Sequence, residues 1–143
     1  MMKQIPNQLT DFRNFLYLCW KQLNLPEPTK IQYDIANYIA TGESRIIVCA
    51  FRGVGKSWIT SAYVLWRLLL DPQLNILVVS ASKNRADDFS TFCLRLLEEM
   101  PILQHLKPKE NQRQSKISFD VAPAMASHQP SVKSLGITSQ ITG

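Results

Sequence analysis

No stretch of this 143-residue sequence approaches the roughly 18 apolar residues that a membrane helix needs. Its opening, MMKQIPNQLTDF, lacks the apolar core of a secretory leader. Cysteine is scarce. Cys19, Cys49 and Cys93 stand far apart, with no CxxC and no Cys/His cluster, which argues against a disulfide framework and a zinc site. Each reads as a small core residue in a reduced, intracellular setting. The two histidines, His105 and His128, are too far apart in sequence to suggest a metal pair. Internal repeats and low-complexity tracts are missing as well. What remains is 45% apolar and 19% charged, the composition of a globular chain able to bury roughly 70% of its unfolded surface. The net charge of +5 permits contact with nucleic acid without requiring it.

Periodicity then divides the chain. Thr10 is placed to cap a first helix with Phe12, Phe15, Leu16, Cys19 and Leu23 on one face, broken by NLPEPT. A second helix puts Ile31, Ile35, Tyr38 and Ile39 on one face and stops near Gly42. RIIVCAF, residues 45–51, is a short run rich in β-branched residues, predicting a strand covered on both faces. Residues 56–70 predict a helix apolar nearly all round, ended by Asp71-Pro72. LNILVVSAS, residues 74–82, predicts a second strand buried on both faces. Ser82 caps a further helix carrying Phe89, Phe92, Cys93, Leu96, Leu97 and Met100, halted by Pro101. The strand–helix–strand–helix order argues for a parallel sheet with right-handed crossovers. Beyond it, KISFDV alternates like a half-buried strand, APAMASHQP is loop, and SVKSLGITSQITG has room for one more strand.

The chemistry concentrates in A-F-R-G-V-G-K-S, residues 50–57, between the predicted strand and the predicted helix. A phosphate-binding loop has the pattern G-x-x-x-x-G-K-[ST], and Ala50 replaces its first glycine. Gly53 and Gly55 let the backbone approach an anion closely, so the N–H groups from Phe51 through Trp58 converge on phosphate oxygens. A helix terminus contributes only about 0.3–1 kcal/mol to anion binding, so most of the neutralisation falls to Lys56 and a metal. Lys56 reaches the β- and γ-phosphates and Ser57 binds Mg²⁺. Phe51, Arg52, Gly53, Val54, Gly55, Lys56, Ser57 and Trp58 are therefore the predicted nucleotide contacts. Lys56 and Arg52 carry the catalytic roles, since Arg52 can contact the γ-phosphate or report its presence. Upstream, PTxxQ ends in Gln32, whose amide can pair with the N6 and N7 edge of adenine. The expected cofactors are ATP and Mg²⁺.

AFRGVGKSWITSAYVLW, ILVVSASKNRADDF, KISFDVAPA and SVKSLGITSQITG, in this order, resemble the large subunit of phage terminases, in the DNA maturase B form of short-tailed podoviruses. The resemblance is specific from about residue 28 to 143. In that family an unorthodox phosphate loop with an internal arginine is normal, so Ala50 and Arg52 no longer count against the site. It implies an α/β fold of the P-loop NTPase, RecA-like (ASCE) type, with a parallel sheet flanked by helices. Residues 1–42 would form a short helical N-terminal segment with the adenine-reading motif, and residues 43–143 an incomplete ATPase core stopping before the Walker B strand. It further implies an ATPase that drives double-stranded viral DNA into the capsid, with a nuclease domain following. The implied partners are that DNA, the portal protein, the small terminase subunit and further copies in a ring, with no membrane. The implied location is the host cytoplasm, at the procapsid portal.

Family members continue into a strand ending in paired acids, which hold Mg²⁺ and activate water. Here Asp120 is the only strand-like substitute, and it reads as the exposed end of a strand. Glu98 and Glu99 lie on a helix. Phosphoryl transfer needs a positioned water besides charge neutralisation, so the chain alone is expected to bind ATP weakly and hydrolyse it slowly or not at all. A helicase-like nucleic-acid translocase and a non-catalytic nucleotide-binding module are the alternative readings. Lys107, Lys109, Arg113, Lys116 and Lys133 against Glu110 and Asp120 leave a basic surplus of three from residue 101 onward, enough for a salt-sensitive DNA contact.

Overall fold

A computed structural model describes residues 7–42, 56–115 and 117–137. The fold is mixed α/β: four helices, two 3-10 turns and a small three-stranded sheet among the described residues. The chain divides into two compact units, Met1–Trp66 and Arg67–Gly143, with helix α3 (Lys56–Leu70) running through the boundary.

In the first unit, a 3-10 turn at Asn7–Thr10 leads into α1 (Phe12–Gln22). The cap is Asp11, not Thr10. The Asp11 carboxylate accepts from Arg13 N at 3.0 Å and from the Arg13 guanidinium at 2.8 Å, whereas the Thr10 hydroxyl closes the preceding turn on Asn7 O. The Arg13 hydrogen bond holds the Asp11 carboxyl below its ordinary pKa. At the other end Asn24 takes a left-handed φ of 57°. Its N–H bonds Lys21 O and that of Leu25 bonds Trp20 O, a Schellman stop with asparagine in the usual glycine place. Phe12, Phe15, Leu16, Cys19 and Trp20 are buried. Phe12 packs its ring on Tyr63 and Trp66 of α3 at 5.5 and 5.3 Å, and Trp66 Nε1 donates to Leu9 O at 2.7 Å. Fully burying a phenylalanine stabilises by about 1.5–3 kcal/mol, so this aromatic cluster is a large part of the unit's cohesion.

Helix α2 (Lys30–Thr41) packs against α1. Its buried side chains are Ile35 and Ala36. Ile31 and Tyr38, expected on the same covered face, are 49% and 47% exposed. Helix α3 matches the predicted span, with Ile59, Ala62, Val64, Leu65, Trp66, Leu68 and Leu69 buried. It is apolar nearly all round but not covered all round, because Trp58 is 45% exposed.

The second unit holds β1 (Ile76–Ser80), α4 (Lys83–Glu99), a 3-10 turn at Pro101–Leu106, β2 (Ser118–Phe119) and β3 (Val132–Gly136). The strand order is β1-β3-β2, with β1 and β3 parallel and β2 antiparallel to β3. Ser82 caps α4 as expected, and Pro101 ends it. Helix α4 packs on β3 and β1 through a core that includes Phe89, Cys93, Leu96 and Leu97. The expectation of a strand buried on both faces does not hold for β1: Leu77 and Val79 are 59% and 54% exposed and alternate with better covered neighbours. A strand covered on one face shows this period of two. The tail does form a strand, β3, and Ser134 Oγ ties it to α4 by donating to Ala86 O at 3.0 Å. The predicted strand at residues 45–51 lies outside the described residues.

Candidate functional site

Of the predicted nucleotide contacts, Phe51, Arg52, Gly53, Val54 and Gly55 lie outside the described residues. Lys56, Ser57 and Trp58 are described, and they occupy the first turn of α3, a helix of 15 residues. Any α-helix leaves its first four N–H groups without partners inside the helix, and Lys56, Ser57 and Trp58 stand among those positions. Two side chains reach back to stiffen the turn: Thr60 Oγ1 donates to Lys56 O at 2.9 Å and Ser61 Oγ to Ser57 O at 3.0 Å. Ser57 is exposed and Lys56 half-buried. Trp58 leans edge-on against Trp20 with ring centroids 6.4 Å apart, which ties the start of α3 to the end of α1.

Gln32 has a structural task at the other end of this unit. Its Oε1 accepts from Thr29 N at 3.0 Å while Gln32 N donates to Thr29 Oγ1 at 3.2 Å, the two halves of a capping box. The PTxxQ spelling is thus a helix start, whatever else its amide touches. Tyr33, beside it, has its phenol pKa raised by burial and by the neighbouring Glu27 charge.

Several of the described acidic side chains form ion pairs. Glu98 pairs with Lys107, Glu99 with Arg95, Asp34 with Lys30 and Asp11 with Arg13. Asp120 is not the exposed strand end that its sequence suggests. Its side chain is only 14% exposed, and its carboxylate accepts from Arg113 Nη1 at 3.1 Å, from Arg113 N at 3.1 Å and from Ser131 N at 3.3 Å. A partner seven residues away across an irregular loop leaves no periodic signal, which is why sequence spacing did not reveal the pair. Among the described residues no group of three or more His, Cys, Asp or Glu side chains could hold a metal ion. None of the described helices is long and apolar enough to cross a membrane.

The sequence comparison completes these observations. No family model matches the chain. Over 134 residues, 93% of its length, it is 56% identical to the terminase large subunit of Enterobacteria phage T3. The chain is related to the terminase large subunits. It spans about a quarter of the length of that relative, 23%. The matched stretch is long enough to take in both Thr29–Gln32 and the run at residues 50–57, so the resemblance carried by short motifs extends over nearly the whole terminase-like sequence.

Proposed function

We propose that this chain is the ATP-binding part of a viral DNA-packaging motor and has a P-loop NTPase core of the RecA-like type. The observation that carries the reading is the 56% identity to a terminase large subunit over 93% of the chain. The geometry of α3 supports it. The helix opens on Lys56, directly after the glycine run, with Ser57 exposed one residue later. These residues fit a triphosphate with its metal: an ammonium and a neighbouring hydroxyl at the start of a helix belong to the donor set that such an anion requires.

In this reading Lys56 holds the β- and γ-phosphate oxygens by charge-assisted hydrogen bonds, and Ser57 Oγ ligates Mg²⁺. Arg52, Gly53, Val54 and Gly55 bring backbone donors to the same anion, and Arg52 contacts its γ end. Gln32 offers its amide to the adenine edge. Bound ATP supplies the free energy for moving double-stranded DNA, and the chain's own residues bind and orient it. Portal protein, small terminase subunit and a ring of copies are the partners that the relationship suggests. An in vitro packaging assay with the full-length large subunit tests the proposal. Lys56→Ala should abolish DNA entry while the protein still assembles at the portal, and undiminished packaging by that variant would refute it.

A further inference from the structure

Helices α1 and α3 lie antiparallel in the first unit, and aromatic rings mark both ends of their contact. Phe12, at the start of α1, packs on Trp66 with ring centroids 5.3 Å apart, and Trp20, near the end of α1, meets Trp58 at 6.4 Å and 76°. The same number of residues separates Phe12 from Trp20 and Trp58 from Trp66, so each helix rises by about 12 Å between the two contacts. This matched spacing keeps the pairs in register. Trp66 Nε1 locks the far end by donating to Leu9 O at 2.7 Å. At the near end Trp20 is the fixed partner, 3% exposed, whereas Trp58 is 45% exposed and follows closely on Lys56. An edge-to-face pair has a preferred geometry, so the Trp20 ring sets where the first turn of α3 stands.

The same residue holds the approach to α2. Trp20 O accepts the Leu25 N–H at 2.9 Å, which closes the left-handed stop at Asn24. From Leu25 the chain reaches Thr29 through Pro26 and Pro28, whose rings fix φ at about −65°, and Pro28 is buried. Thr29 and Gln32 then open α2 with their capping box, and α2 packs on α1. Trp20 is thus anchored to both segments predicted to meet a nucleotide. Its indole bears on the turn that holds Lys56, and its carbonyl begins the stiff connector to the turn that holds Gln32. A ligand that bridges two groups binds more tightly when their span is set in advance, because less freedom is lost on binding.

We propose that Trp20 is a positioning residue that sets the span between Lys56 and Gln32, so that a nucleoside triphosphate is held at its phosphates and its base together. The proposal rests on the ATP reading of those two residues. The buried Trp20 ring acts through Trp58. A substitution that removes the indole spares the carbonyl, and so loosens the α3 end of the span alone.

Calorimetric titration of the 143-residue chain with Mg-ATP and, separately, with Mg-tripolyphosphate tests it, because tripolyphosphate engages the phosphate end alone. Trp20→Leu is expected to weaken Mg-ATP about tenfold and Mg-tripolyphosphate less than about twofold. Trp20→Phe, which keeps an aromatic edge, should restore the parental ATP affinity. Mere loss of stability would weaken both ligands alike. Trp58→Leu removes the same contact from its half-exposed side, where folding is less at risk. It should show the same selective loss, and the double variant should lose no more than either single one. Unchanged Mg-ATP binding in Trp20→Leu or Trp58→Leu, equal weakening of both ligands, or additive losses would overturn the proposal and leave the ATP reading standing. A parent chain that does not bind Mg-ATP overturns both.

Discussion

Thr29 and Gln32 cap each other: the threonine hydroxyl takes the Gln32 N–H and the glutamine carbonyl oxygen takes the Thr29 N–H. The residue singled out from the sequence to read adenine is therefore also half of a helix start. The two roles share Oε1, which accepts in the cap and would also accept from adenine N6, and they differ at Nε2, which only adenine N7 requires. Gln32→Glu preserves the acceptor and removes the donor. The expected outcome is a melting temperature close to the parent's, with ATP affinity lowered about tenfold and the preference for ATP over GTP reduced. Unchanged nucleotide affinity in that variant would leave Gln32 with the cap alone. Gln32→Ala should lose both, with a stability cost on the order of 0.5–2 kcal/mol in urea unfolding.

Gly136 of β3 meets the backbone at the start of α4. A Cβ placed there would stand 2.6 Å from Ser82 C and 2.7 Å from Lys83 Cα, main-chain atoms that cannot swing aside. The helix N-terminus therefore rests directly on the strand. Gly136→Ala should force the two elements apart and destabilise the second unit by about 1–3 kcal/mol, measured by chemical unfolding. A variant as stable as the parent would show that α4 can shift without cost.

Asp11 gives a pH signature. Its folded pKa lies below the ordinary 3.8, chiefly through the hydrogen bond from Arg13. A depressed carboxylate pKa contributes stability that is fully present above the unfolded value and is lost as pH falls through the folded one. The contribution should therefore be constant from neutral pH to about pH 5 and disappear below about pH 4, as the carboxyl takes up a proton. The side chain is 38% exposed, so solvent screens the effect and the expected change is small. Comparing thermal stability of the parent and Asp11→Asn between pH 3 and pH 7 checks it: the difference should narrow as the pH falls.

The helices were the most legible part of the chain, for local physical reasons. Ser82 ahead of an apolar stripe, Pro101 behind it, and Asp71-Pro72 after residue 70 each act within one turn of the helix that they bound. The misplaced first cap shows the limit. Thr10 and Asp11 are both good capping residues, and the choice fell to Asp11, which has Arg13 two residues on to receive its second oxygen. Exposure was harder to read than element type. Leu77 and Val79 are as apolar as their neighbours, so the composition of β1 says nothing about one face being uncovered. Tertiary pairs were not legible at all. Arg113 with Asp120 and Gln73 with the 123–125 backbone join residues across irregular chain, where no period links the partners. Around the predicted nucleotide contacts, the helix beginning at Lys56 was legible and stands where the sequence places it, after the glycine run.

The central claim is that Lys56 and Ser57 hold the phosphates and metal of ATP. Binding without rapid turnover is the behaviour expected from the sequence, which offers the phosphates a cation but no evident source of a positioned water. Calorimetric titration of the 143-residue chain with Mg-ATP tests this most directly. The account predicts measurable binding that Lys56→Ala weakens by at least about a hundredfold, since the substitution removes the ammonium proposed to hold the β- and γ-phosphates. Equal binding by the parent and Lys56→Ala, or none by either at millimolar Mg-ATP, would contradict it.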